Sequence, residues 1–265
     1  MFITDRFVLL NFPKTGSTFA RNVLAELHRP TALRALLVKL GLAQPLYQDL
    51  ILPRYVVDPS VPVRTTQHLV YAQVPEVDRH KLLLSVVRDP FSRLISAFEY
   101  RDWVRFPMAP IEDLRRSWPT FPDLTFEQFL EMNYMLGPEQ LIGDLPLRVD
   151  VGPLTLQFIR FYARDPRRYI LDLRPGSDLL TDQDRHFPSI RFLHTEHLNQ
   201  ELHDLLLELG YARERIDFIL ERGKVNSTER SRTEYFTPTL RALVLQKERL
   251  FFQRFPEYLP APSVS

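Results

Sequence analysis

Phe7-Val8-Leu9-Leu10-Asn11-Phe12-Pro13-Lys14-Thr15-Gly16-Ser17-Thr18-Phe19 is the stretch that decides the fold. Phe7 to Phe12 form an apolar run that reads as a buried strand, and Pro13 with Gly16 breaks it. Phe19, Val23, Leu24 and Leu27 then recur at helical spacing. The order is strand, tight loop, helix.

The same order returns twice. Leu82 to Val87 is a continuous apolar run with little alternation, as in a parallel strand covered on both faces. After Arg88, Asp89 reads as a helix N-cap and Pro90 as the first helical residue, with Phe91, Leu94, Ile95 and Phe98 as the apolar stripe. Ile190 to Leu193 reads as a third core strand. It leads through His194-Thr195-Glu196 into a helix carrying Leu198, Leu202, Leu205, Leu206 and Leu209, which Gly210 closes. Alternating strands and helices imply an α/β layer fold around a mainly parallel sheet, with ligands at the carboxyl ends of the strands.

Residues 103–153 are proline-rich and mix short helical patterns such as Phe126 to Met132 with loops; they read as a covering subregion that shapes the acceptor side. Pro238 to Phe255 holds strong helix formers and stops at Pro256, and residues 260–265 read as a frayed tail. A length of 265 residues is compatible with a single domain over 1–265.

Thirty-four basic against thirty-three acidic side chains leave a net charge of +1, too balanced for an extended nucleic-acid surface, so an anion site must be local. The absence of cysteine excludes disulfides, thiolate metal sites and cysteine nucleophiles, and fits a reducing compartment. No run approaches the ~20 apolar residues needed to cross a bilayer, and the start lacks the features of a signal peptide. The opening strand lies so near Met1 that no anchor or stem is expected before the fold, and the cytoplasm is the expected location.

Only five of the basic residues are lysines, at 14, 39, 81, 224 and 247. Lys14 stands in Pro13-Lys14-Thr15-Gly16-Ser17-Thr18, which sets backbone N–H groups, hydroxyls and an ammonium around a helix N-terminus. Such a loop cradles an anion. Gly16 permits close backbone approach, and Lys14 can sit on an oxygen that gains charge during group transfer. The loop is not a Walker A sequence, because its lysine precedes the glycine and no glycine stands upstream.

Arg88-Asp89-Pro90-Phe91-Ser92-Arg93-Leu94-Ile95-Ser96 places Arg88 at a strand end and Ser96 two turns into the next helix. The guanidinium fork of Arg88 suits a phosphate. With this second motif the chain resembles the sulfotransferases that use 3′-phosphoadenosine 5′-phosphosulfate (PAPS), whose strand-loop-helix cradle and later R-[DN]-P-x-x-R-x-x-S segment match residues 13–18 and 88–96.

The resemblance implies a P-loop-NTPase-like three-layer α/β fold with PAPS as co-substrate and no metal. Lys14, Thr15, Gly16, Ser17 and Thr18 would hold the 5′-phosphosulfate, and Arg88 with Ser96 the 3′-phosphate. Arg93 matches the motif as well, and reads either as a ligand contact or as a surface residue paired with Asp89 or Glu99. Phe98 stands where many relatives carry tyrosine and reads as core.

Sulfuryl transfer to a hydroxyl needs charge stabilisation on the leaving group, assigned to Lys14, and a base near the attacking oxygen. Thr65-Thr66-Gln67-His68 precedes the second motif much as a histidine does in the uronyl 2-O-sulfotransferase-like branch, so His68 is the expected base. An imidazole with an ordinary pKa of about 6.5 offers a neutral fraction near neutrality. The bland alternative makes His68 a cap for a helix through Leu69, Val70 and Ala72, with Glu99 and Glu26 as reserve bases.

His194, Glu196 and His197 straddle a strand-to-helix turn without a third ligand, so no metal is expected there and Glu196 reads as structural. Gly223 to Arg230 resembles the family's late loop over the nucleotide, in which Lys224 or Arg230 would touch phosphate. The aromatic stripe of Phe251, Phe252, Phe255 and Tyr258 reads as core. The expected activity is sulfuryl transfer to a hydroxyl-bearing acceptor, a glycan or glycan precursor. Its rivals are a P-loop-like kinase or nucleotide hydrolase, which would require magnesium and turn over ATP, and a non-catalytic nucleotide-binding protein.

Overall fold

The computed structural model describes residues 1–53, 65–181, 183–223 and 235–260. Its described residues gather into two compact units, one formed by 1–53, 65–88 and 189–223, the other by 89–181, 183–188 and 235–260.

The first unit is built on a five-stranded sheet. Strands β1 (Phe2–Ile3), β2 (Phe7–Leu10), β3 (Gln48–Asp49), β6 (Leu82–Val87) and β7 (Ile190–His194) lie in the order β3-β1-β2-β6-β7. β2, β6 and β7 run parallel, with Leu10 beside Ser85 and Val87 beside His194, while β1 and β3 join antiparallel at the other edge. The three parallel strands are the three apolar runs of the sequence. A separate antiparallel pair, β4 (Leu52–Pro53) with β5 (Thr65–Thr66), brings the chain toward β6.

Helices α1 (Ser17–Leu27) and α10 (Leu198–Glu208) cover one face of the sheet. Phe19, Val23 and Leu24 of α1 and Leu202, Leu205 and Leu206 of α10 pack with Phe7, Leu9, Leu84 and Val86. Helix α2 (Ala32–Lys39) begins at Thr31, whose hydroxyl accepts the Arg34 N–H at 3.3 Å, and none of its residues is buried. Helix α11 (Phe218–Glu221) completes the unit and buries Ile219. Gly210, with φ +76°, follows α10 as expected.

β2 is shorter than the apolar run from Phe7 to Phe12 predicts. It stops at Leu10 because the Phe12 N–H turns back to the Leu10 carbonyl at 3.1 Å and Pro13 has no N–H to extend a ladder.

The second unit is helical: α3 (Pro90–Tyr100), α4 (Asp102–Arg105), α5 (Ile111–Ser117), α6 (Phe126–Ile142), α7 (Pro153–Tyr162), α8 (Pro166–Asp172), α9 (Gln183–His186), α12 (Pro238–Lys247) and α13 (Arg249–Arg254). Asp89 caps α3 as read from the sequence, accepting the Ser92 N–H at 2.7 Å, with Pro90 in the first position. Its core joins Phe91 and Leu94 to Trp103, Trp118, Phe129 and Phe252. Phe98 packs among Trp103, Phe126, Phe129 and Tyr235.

The helix predicted over Pro238 to Phe255 is two helices broken at Glu248. Glu248 is completely buried, and its carboxylate accepts the Leu154 N–H at 3.2 Å, the Thr155 N–H at 2.8 Å and the Thr155 hydroxyl at 2.8 Å. The side chain that breaks one helix therefore caps another, α7. Burial pushes the Glu248 carboxyl up, against the pull of its Thr155 and Leu154 hydrogen bonds and of Arg93. Among the described residues no helix is long and apolar enough to cross a membrane.

Candidate active site

The loop between β2 and α1 turns on two left-handed residues, Lys14 at φ +63° and Gly16 at φ +79°. Gly16 fits both by conformation and by space, since a Cβ there would already touch Leu198 Cδ2 and Thr195 Cγ2 at 3.4 Å. Lys14 adopts this backbone with a side chain in place, at a cost of about 1–2 kcal/mol. Backbone strain of this kind concentrates at functional sites.

Thr15 and Ser17 are buried, and both hydroxyls donate to the Phe12 carbonyl at 2.8 Å. Their protons therefore clasp the loop, and what these residues offer an anion is the backbone. The N–H groups of Ser17 and Thr18 open α1 and have no partner within the helix, at the positive end of its dipole. The Thr18 side chain is exposed and accepts from Gln67 Nε2 at 3.0 Å.

The carboxyl ends of the three parallel strands are tied at this loop. The Thr195 hydroxyl lies 2.6 Å from the Thr15 carbonyl and 2.9 Å from the Val87 carbonyl, so it bridges the cradle to the end of β6 from just beyond β7. The Ser85 hydroxyl of β6 donates to the Leu10 carbonyl at 2.7 Å, one step earlier. Sequence reading passed over Thr195 because a threonine after a strand carries no motif of its own.

His68 reaches the same loop from the other side. It follows β5, and its N–H donates to Thr66 Oγ1 at 3.1 Å. Its Nδ1 lies 2.7 Å from the Asn11 carbonyl, a group that can only accept. Nδ1 therefore carries a proton, and in the neutral ring the lone pair falls to Nε2. Gln67 and His68 thus attach to Thr18 and Asn11, on either side of Lys14. His68 does not cap a helix: the following turn, Tyr71–Gln73, closes through the Val70 N–H on Gln73 Oε1 at 2.9 Å.

Arg88, half-buried, directly follows β6, and Ser96, half-buried, lies on α3. Arg93 is not a surface residue: it is 2% exposed and donates to Gln157 Oε1 inside the second unit. The helical period explains this, because Arg93 shares the inward face of α3 with Phe91, Leu94 and Ile95. Glu26 is exposed, pairs with Arg222 at 2.8 Å and lies about 14 Å along α1 from Ser17. Glu99 is exposed and accepts from the Tyr235 hydroxyl. Lys224 and Arg230 lie outside the described residues.

At the end of β7 the Glu201 carboxylate accepts the His194 N–H at 2.5 Å and faces His194 Nδ1 at 3.0 Å, so this pair fastens the end of β7 to α10. Glu196 and His197 are exposed. Among the described residues no group of three or more His, Asp or Glu side chains is placed to hold a metal ion.

No curated protein sequence matches the chain. Among solved structures it is similar to mouse sulfotransferase SULT7A1 complexed with PAP, at 16% identity over 98% of this chain and 86% of that one, with a TM-score of 0.42. The sulfotransferase family model matches residues 1–247, which takes in the cradle, the His68 segment, the Arg88 to Ser96 motif and Thr195. On that match the chain belongs to the sulfotransferase family.

Proposed function

We propose that this protein transfers a sulfuryl group from PAPS to a hydroxyl of a carbohydrate. The observation that carries the reading is the β2–α1 loop, where a left-handed Lys14 and the first N–H groups of α1 stand with a histidine whose Nδ1 is held on the Asn11 carbonyl. That donor set suits a phosphosulfate, whose oxygens only accept.

PAPS supplies an activated sulfuryl group on a phosphate leaving group. The N–H groups of Ser17 and Thr18 orient the phosphosulfate, and the Lys14 ammonium neutralises charge on the bridging oxygen as its bond to sulfur breaks. His68 Nε2 takes the acceptor's proton as the new oxygen–sulfur bond forms. Arg88 and Ser96 hold the 3′-phosphate; this assignment rests on their match to the motif. The carbohydrate acceptor rests on the likeness of the Thr65 to His68 segment to the uronyl 2-O branch.

Calorimetric titration with 3′-phosphoadenosine 5′-phosphate (PAP), adenosine 5′-phosphate and ATP with magnesium tests the donor. Micromolar binding that depends on the 3′-phosphate is expected. A preference for ATP with magnesium would instead point to phosphoryl transfer.

A further inference from the structure

Helix α2 is built unlike the other helices of its unit. Leu33, Leu36 and Leu40 are 68%, 52% and 61% exposed, and Leu42, just beyond, is 71% exposed. At ~100° per residue, Leu33, Leu36, Leu37 and Leu40 fall within one arc about 100° wide, with Arg34 at one border and Lys39 at the other. The helix is nonetheless well made. Thr31 caps its start, and its end closes through the Leu42 N–H on the Leu37 carbonyl at 2.9 Å and the Gly41 N–H on the Val38 carbonyl at 3.0 Å, with Gly41 at φ +71°. This closure folds Leu42 back over the helix end.

Charge decides what such a face meets. From Leu27 to Gln48 the chain holds Arg29, Arg34 and Lys39 and no acidic residue. A second copy placed on the face would bring these cations together with no carboxylate from the segment between them. Area argues the same way: the helix is about 12 Å long and 10 Å wide, so its face offers on the order of 120 Å², against the ~800 Å² per partner of a stable protein interface. At a lipid surface, burial of the stripe and attraction of its bordering cations to anionic headgroups add together, with no facing protein surface to complete.

We infer that α2 with Leu40 and Leu42 is a docking element for an anionic lipid surface, the leucines entering the headgroup boundary and the exposed Arg29 and Lys39 meeting lipid phosphates. This surface is separate from the cradle and does not depend on the transfer reading.

The test is co-sedimentation of the full chain with vesicles of phosphatidylcholine alone and of phosphatidylcholine with phosphatidylglycerol. Binding to the mixed vesicles alone, lost in high salt, is expected. Leu36→Glu with Leu40→Glu should weaken it by about tenfold or more, and Arg29→Gln with Lys39→Gln by about tenfold. Both variants should keep wild-type melting temperature and PAP affinity, since the substituted side chains are exposed. No sedimentation with mixed vesicles, equal binding to both vesicle types, or undiminished binding by the leucine variant would each overturn the inference. A concentration-dependent dimer in sedimentation velocity that the leucine variant abolishes would do so too, by making a second copy the occupant.

Discussion

Lys14 has to keep an ammonium and a left-handed backbone in the same residue, and the two demands pull against each other. Glycine would relieve the backbone and remove the charge. Lys14→Gly should therefore lower turnover by about 100- to 1000-fold while the protein melts no earlier than wild type in calorimetry. A large fall in melting temperature would show that the side chain holds the loop together. His68 makes a different prediction. His68→Ala should reduce turnover and leave PAP affinity unchanged, because the imidazole is assigned to the acceptor's proton; wild-type turnover would take the base role away from it. Lys14 and Gly16 were legible in the sequence because a strand and a helix frame them. The inward turn of the Thr15 and Ser17 hydroxyls was not, since it depends on the Phe12 carbonyl left over where β2 stops. The surface placement of Arg93 failed, because a charged residue in a motif gives no sign that a partner such as Gln157 lies far along the chain.

At the level of elements, most of what was legible is periodicity. The three apolar runs became the three parallel strands, and the helices after Gly16, Asp89 and Thr195 follow their stripes. What sequence could not show is how elements are fastened to one another across long separations. Thr195 is one such fastening, and Thr195→Val leaves the Thr15 and Val87 carbonyls without its hydroxyl. A loss of about 1–3 kcal/mol in stability is expected, with weaker PAP binding than the exposed Thr18→Ala variant shows. Glu248 on the start of α7 is another. Gly152 sits against that carboxylate so closely that an added Cβ would lie 2.0 Å from Glu248 Oε1 and 2.8 Å from Tyr134 Cε1. Gly152→Ala should cost about 1–3 kcal/mol or more in chemical unfolding, although the backbone there lies in a region open to alanine.

For the molecule as a whole, the buried Glu248 carboxyl links stability to pH. Its pKa is raised by folding, so between the ordinary carboxyl value and the raised one the folded state holds a proton that the unfolded state has released. The contribution of Glu248 to stability is therefore full at acid pH and falls as pH rises through the folded pKa. Melting curves of wild type and Glu248→Gln should show wild type losing ground to the variant as pH rises through that window, and a gap independent of pH would contradict the shift.

The topology also sets a timetable. β6 ends at Val87 and its neighbour β7 begins at Ile190, with the described helices α3 to α9 lying between them in sequence. During synthesis at roughly 5–20 residues per second, β6 leaves the ribosome several seconds before the strand that pairs with its far edge exists. Leu84 and Val86, completely buried in the finished sheet, belong to a strand that must wait. The nascent chain is thus most exposed to wrong pairing just before β7 is made, and its yield in a cell depends on what shields that edge in the interval.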